Sequence, residues 1–210
     1  MRTERYGEHP DQVVDLRGDD GPLVLVIHGG FWRPVYARDI MDDFSEALTR
    51  AGFRTANVEY RRPGPAQYRE MLDDVGAAAR LVEPDVAVGH SAGGHLALWL
   101  AAEGLVPRVV ALGAVCDLSF AAELRIGKDA VRARFGEEFA AADPARRLPL
   151  GADQVLIHGT ADESVPIEIA RSYAERAGAE CRLVELDGVG HFELIDPAWE
   201  RFGVIIDAVA

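Results

Sequence analysis

Seven short runs of aliphatic and β-branched residues, separated by stretches with helical spacing, constrain this chain more than any other feature. The runs span 12–16, 22–27, 53–59, 85–89, 108–115, 154–158 and 180–186. Several are apolar at consecutive positions, as in Leu23-Val24-Leu25-Val26-Ile27, so both of their faces need cover. Between the runs, Ile40, Phe44, Ala47 and Leu48 recur at helical spacing, as do Tyr68, Met71, Leu72, Val75 and Ala79. Ile169, Tyr173 and Ala177 repeat the pattern, with Pro166 suited to a first turn and Gly178 to a left-handed cap. This alternation predicts an α/β fold, a mostly parallel sheet of about seven strands with helices on both faces.

A chain of 210 residues accommodates that pattern in one domain spanning 1–210. The alternation breaks between 117 and 152, where one short connection is expected. Helical spacing at 129–135 and 137–141 makes this segment a small cap-like insertion over one sheet edge. Thirty-five acidic against twenty-two basic residues leave a formal charge of −13, which excludes a binder of nucleic-acid backbones. The first twenty residues have no basic segment leading into an apolar one, and the uncharged stretch 86–102 is broken by glycines and histidines. A cytoplasmic protein with no membrane insertion is therefore expected. Cys116 and Cys181 lie in apolar runs and read as buried thiols. The histidines show no metal-type spacing, so neither metal nor cofactor is expected. A homodimer is left open.

Ligands of open parallel sheets bind beyond the carboxyl ends of the strands, and four reactive segments fall there. Gly89-His90-Ser91-Ala92-Gly93 is a Gly-x-Ser-x-Gly between a strand and a helix, which lifts the serine hydroxyl above the sheet on a sharp turn. A serine needs a base and an orienting acid. His191, in Gly188-Val189-Gly190-His191, is the candidate base, and Asp162, four residues beyond His158, the candidate acid. Asp117, after an earlier strand, is the alternative acid. The order Ser91, Asp162, His191 is that of nucleophile-elbow hydrolases. His28-Gly29-Gly30 follows a strand, and its glycines can turn amides toward a developing oxyanion. The oxyanion donors expected are the amides of Ala92 and of Gly30 or Phe31. His90, His95 and His158 read as structural and His9 as exposed. Phe31 and Trp32 are assigned to a substrate pocket, whereas Tyr36, Tyr60, Phe120 and Phe192 read as core packing.

Together these segments resemble the α/β-hydrolase superfamily. His28-Gly29-Gly30-Phe31-Trp32 and the stretch GHSAGGHLA at 89–97 are most similar to kynurenine formamidases and hormone-sensitive-lipase-like esterases. In formamidases an aromatic followed by Trp completes the oxyanion loop, matching Phe31 and Trp32. HGTADESVP at 158–166 also resembles the catalytic domain of prolyl-oligopeptidase-type hydrolases. The resemblance implies hydrolysis of small carboxylic esters or an aryl formamide through an acyl-enzyme, with a small molecule as the partner. A peptidase or thioesterase on the same residues is the alternative enzyme. A ligand-binding protein that kept the fold is the alternative outside enzymes, though it has no need of all three reactive residues.

Overall fold

In the computed structural model, which describes residues 1–62, 64, 67–136 and 139–210, an eighth strand precedes the seven expected ones. In chain order they are β1 (Arg2–Arg5), β2 (Val13–Arg17), β3 (Leu23–Ile27), β4 (Arg54–Val58), β5 (Val86–His90), β6 (Arg108–Leu112), β7 (Asp153–Gly159) and β8 (Cys181–Leu186). The sheet order is β1-β2-β4-β3-β5-β6-β7-β8. β1 and β2 run antiparallel to their neighbours, and the remaining pairs are parallel. Arg-Thr-Glu-Arg in β1 has no apolar period, because this strand is defined by pairing at an exposed edge rather than by burial. Its charges also discourage pairing with a further strand.

Two layers of helices cover the sheet. Leu23, Leu25 and Ile27 of β3 pack on one face, under α2 (Tyr68–Val82), α3 (Ala92–Ala102) and α6 (Ile167–Ala177). Val24 and Val26 face the other way, toward α1 (Asp42–Arg50) and α7 (Gly203–Val209). This is the period-two alternation of a strand buried on both sides. At 1.5–3 kcal/mol per fully buried aliphatic side chain, roughly, these layers supply the main drive for folding. α3 has no solvent-facing polar side: every residue from Ala92 to Ala101, His95 included, is buried, as a helix apolar nearly all round must be. Cys116 is buried, but Cys181, at the start of the edge strand β8, is only partly so. No helix among the described residues is long and apolar enough to cross a membrane.

Residues 117–152 hold α4 (Leu118–Glu123), α5 (Ile126–Phe135) and a 3-10 turn at Pro144–Arg146. The buried Asp143 carboxylate ties the turn to α4, accepting from the amides of Leu118 and Ser119 and from the Ser119 hydroxyl. α5 starts earlier than its spacing predicts, because Gly127, Lys128 and Asp129 form a left-handed turn at its head. Of the helix expected at 137–141, residues 139–141 are not helical and Glu137 and Glu138 lie outside the described residues.

The chain order reverses at β3. From β3 it steps to β4 on one side, then returns to β5 on the other. The helices that follow, α1 and α3, therefore leave toward opposite faces, opening a crevice between the carboxyl ends of β3 and β5. Closing the lower part of that crevice takes glycine. A β-carbon on Gly93 would lie 2.1 Å from the Ile27 carbonyl oxygen, and one on Gly89 would lie 2.1 Å from that of Gly93. We expect Gly93→Ala to cost about 3 kcal/mol or more, the upper end of overpacking penalties, read as a lowered midpoint of urea unfolding.

Candidate active site

Ser91 stands at the end of β5 with φ 55° and ψ −117°. Such a conformation costs a non-glycine residue on the order of 1–3 kcal/mol and persists only where neighbours enforce it. Here they do. The Ser91 amide donates to Leu112 O at 2.8 Å, and its carbonyl accepts from the amides of Gly94, His95 and Val115 at 3.0–3.3 Å. The loop after β3 closes on the same point, since a β-carbon on Gly29 would lie 2.9 Å from Ser91 Cβ. Gly30, Phe31 and Trp32 then follow with φ of 101°, 50° and 55°. Among the described residues, no backbone carbonyl takes the amides of Gly30, Phe31 or Ala92. Ala92 heads α3, where unpaired amides and the helix dipole favour negative charge.

Asp162 follows β7, and His191 lies in the loop after β8. His191 Nδ1 donates to Asp162 Oδ2 at 2.6 Å. The other carboxylate oxygen of Asp162 accepts from the amides of Ser164 and Val165, each at 2.8 Å. Burial acts to raise the Asp162 pKa, but hydrogen bonds from His158 and His191 outweigh it and hold the group well below the carboxylate range. His158 Nε2 lies 3.4 Å from Asp162 Oδ2 and 2.8 Å from Val165 O. His158 therefore belongs to the site, which its apolar strand setting concealed. Asp117 is occupied elsewhere, capping α4 through the Phe120 amide and pairing with Arg176 at 2.6 Å.

Gly113, outside the recognised motifs, and Gly159, within 158–166, make room for this pair. A β-carbon on Gly113, just after β6, would lie 3.0 Å from His191 Nδ1 and 3.1 Å from Asp162 Oδ2. One on Gly159 would lie 2.0 Å from Val189 O. The apolar run at 108–115 continues through Gly113, whereas β6 ends at Leu112. The break in the run at Leu112-Gly113 was the available signal.

Ser91 and His191 share a cavity of about 190 Å³ with Gly30, Phe31, Arg33, Tyr36 and Phe192. Two larger hollows, near Trp99 and near Arg17, contain none of these reactive residues. His90 also lines the site; its Nε2 lies 3.0 Å from His191 O, and burial above all, then the nearby His191, pull its pKa down to about 3. It is neutral at ordinary pH. Trp32 corrects the sequence assignment: it is fully buried, edge-on to His95 and Phe135, and does not line the cavity. The left-handed backbone at Trp32 sends the indole into the core. Tyr36 and Phe192 correct it in the other direction, since both are exposed cavity walls. Tyr60 and Phe120 pack in or against the core, and His95 is held by Ala142 O at 2.8 Å.

Beneath the loop after β3 lies a buried polar cluster. His28 stacks on Tyr60, whose hydroxyl donates to His28 O at 2.8 Å. His28 Nε2 lies 3.2 Å from Glu59 Oε1, which also pairs with Arg62. Glu59 accepts from the Arg38 and Tyr60 amides as well. Burial raises the Glu59 pKa, but His28, the Arg38 amide and Arg62 prevail and bring it down to about 2. The sign follows: a depressed carboxylate stabilises the fold fully above its ordinary value of 4.5 and loses that contribution as pH falls toward 2. Glu59→Gln is expected to weaken the fold at neutral pH by about 3 kcal/mol, as breaking a buried pair does. It should also flatten the acid limb of unfolding between pH 4.5 and 2. Acid titrations at fixed denaturant check both.

Comparison with known proteins places these features. A family model described as BD-FAE matches residues 15–109, which include Ser91 but neither Asp162 nor His191. Esterase LipC of Mycobacterium tuberculosis is 27% identical across the whole chain, which spans 63% of that protein's length. Thermogutta terrifontis esterase 2, solved phosphonylated by sarin, superposes with a TM-score of 0.81 at 20% identity, covering 99% of this chain and 92% of that one. A truncated carbohydrate esterase from gut microbiota gives 0.82 at 18% identity, over 99% and 94% of the two chains. The likeness to these solved structures is one of fold.

Proposed function

We propose that this chain, which has the α/β-hydrolase fold, is a serine hydrolase acting on small carboxylic esters through an acyl-enzyme. The observation that carries the reading is the His191–Asp162 hydrogen bond of 2.6 Å facing the same cavity as Ser91 on its enforced turn. With Nδ1 committed to Asp162, Nε2 is the nitrogen that takes the Ser91 proton as Oγ attacks the carbonyl carbon. Asp162 stays ionised and holds the imidazole in that tautomer. The oxyanion that forms is met by the Ala92 amide and by that of Gly30 or Phe31, preset donors that need no reorganisation. His191 returns the proton to the leaving alcohol. Water, deprotonated by the same nitrogen, then releases the acid and restores Ser91.

An aryl formamide is the second substrate the site favours. Phe31, Tyr36 and Phe192 line the opening and offer an aromatic leaving group three rings to pack on. Ser91→Ala should abolish covalent labelling by fluorophosphonates and lower kcat by about 10⁶, as loss of a serine nucleophile does in a well-studied hydrolase. Mass spectrometry of the labelled protein and initial rates on p-nitrophenyl acetate check this. Retained turnover in the variant would remove the mechanism.

Acyl length is limited by the same cavity. Its 190 Å³ is below the roughly 300 Å³ at which pockets for drug-sized ligands begin. An open tunnel would gain about 0.8 kcal/mol per added methylene, and this cavity has no room for that series. Propionate- and butyrate-bound structures of the Thermogutta esterase favour the same short range. We expect kcat/KM on p-nitrophenyl esters to stop rising at butyryl and to fall beyond it. A preference for octanoyl esters would show a longer acyl site.

A further inference from the structure

We infer that a cationic recess beside the cleft holds a carboxylate group carried by the substrate. The inference rests on the hydrolase reading above and deepens it from esters in general to anionic ones. The recess measures about 80 Å³ and is lined by Phe31, Arg33, Lys128, Ala130, Ala133 and Arg134. Phe31 and Arg33 also line the cavity at Ser91, so the two spaces share a wall. Three of six lining residues are cations, and no carboxylate lines the recess among the described residues. That runs against a chain of net charge −13, whose one lysine is Lys128.

Arg134 makes the recess a built site rather than a patch of surface charge. It is only 8% exposed. Its Nη2 donates to Trp32 O, but Nε and Nη1 are buried without a partner. Burying a guanidinium with two unmatched donors is costly, and such groups are ordinarily paired with an anion. Burial chiefly, with the nearby Arg62 adding to it, pulls the Arg134 pKa below its ordinary value against an opposing pull from Tyr60, and among the described residues no carboxylate offsets them. Asp129, the nearest acid along α5, is engaged by Arg132 at 3.2 Å and Arg125 at 4.0 Å.

The second cation is held in place at a cost. Lys128 has φ 62° and ψ 50°, with Gly127 and Asp129 also left-handed. Two contacts with the oxyanion loop fix this turn. Arg33 Nη2 donates to Gly127 O at 2.7 Å, and a β-carbon on Gly127 would lie 2.7 Å from the Phe31 ring. Strain of this kind gathers at ligand clamps. A planar carboxylate matches the fork of a guanidinium and fits a recess this small. The carboxylate then sits across the Phe31 wall from Ser91, so substrate binding and the shape of the oxyanion loop depend on one another.

Two substrate pairs test the inference: phenyl acetate against 4-carboxyphenyl acetate, and phenyl butyrate against the monophenyl ester of succinic acid. The first places the anion on the leaving group and the second on the acyl group. One anionic member should exceed its neutral partner in kcat/KM by roughly tenfold or more, mainly through KM, as a charge-assisted hydrogen bond provides. Lys128→Ala, at an exposed position, and Arg134→Gln should each reduce that ratio several-fold. Equal losses on both members would assign these residues a structural role only and overturn the inference, as would the absence of a preference in either pair. Calorimetry on the unmodified protein with benzoate, succinate and inorganic phosphate reads the recess without turnover. Carboxylate binding weakened by Lys128→Ala supports the recess even where no ester is cleaved, which separates it from the hydrolase reading. Phosphate binding more tightly than both carboxylates would overturn the choice of ligand.

Discussion

The strained backbone of Ser91 is the constraint on which the rest of the structure depends. One residue in a sparsely populated conformation is tied by its amide to the end of β6 and by its carbonyl to α3 and to the segment after β6. Four backbone hydrogen bonds are enough to offset a strain of on the order of 1–3 kcal/mol. They work only if α3 lies almost on the sheet, and this is why Gly89, Gly93 and Gly94 surround the serine. The apolar, fully buried α3 is the other half of that arrangement. Its packing pulls the helix down, and the missing β-carbons let it arrive.

The loop after β3 is shaped from both ends. At its base, the His28–Glu59–Arg62 cluster fixes the strand end in a dry setting, where an ion pair persists only with its hydrogen bonds complete. At its tip, the insertion at 117–152 takes over: Arg134 binds Trp32 O and Gly127 O accepts from Arg33. Phe31 and Trp32 keep left-handed backbones because they are gripped on both sides. Residues 117–152 thus buttress the loop after β3.

Much of this was legible in the sequence, for identifiable reasons. The sheet and its helices follow from hydrophobic period, and Ser91, Asp162 and His191 stand out because each follows a strand and carries chemistry. What stayed hidden has no local signature. β1 is a strand through pairing alone. Trp32 and Phe192 exchanged their expected places, since a residue's burial in a loop depends on backbone angles and on distant neighbours such as Phe135. Glu59 and Gly113 matter only through contacts made across the sheet. His158 reads as core because it is core, and it still reaches Asp162.

The distribution of charge joins these levels. Solvent and salt screen exposed charges beyond about 8 Å at physiological ionic strength, so the acidic surface of this chain sets solubility and the approach of ligands rather than events at Ser91. Inside the cleft the effective dielectric falls and close pairs dominate. There the order of charge reverses: Asp162 is fully engaged by His158, His191 and two amides, whereas Arg134 keeps donors to spare. The loop after β3 and the head of α3 present unpaired amides beside Ser91, and among the described residues no uncompensated anion. Arg134 adds a guanidinium already stripped of water, whose desolvation cost was met during folding by the packing of α5 against the core.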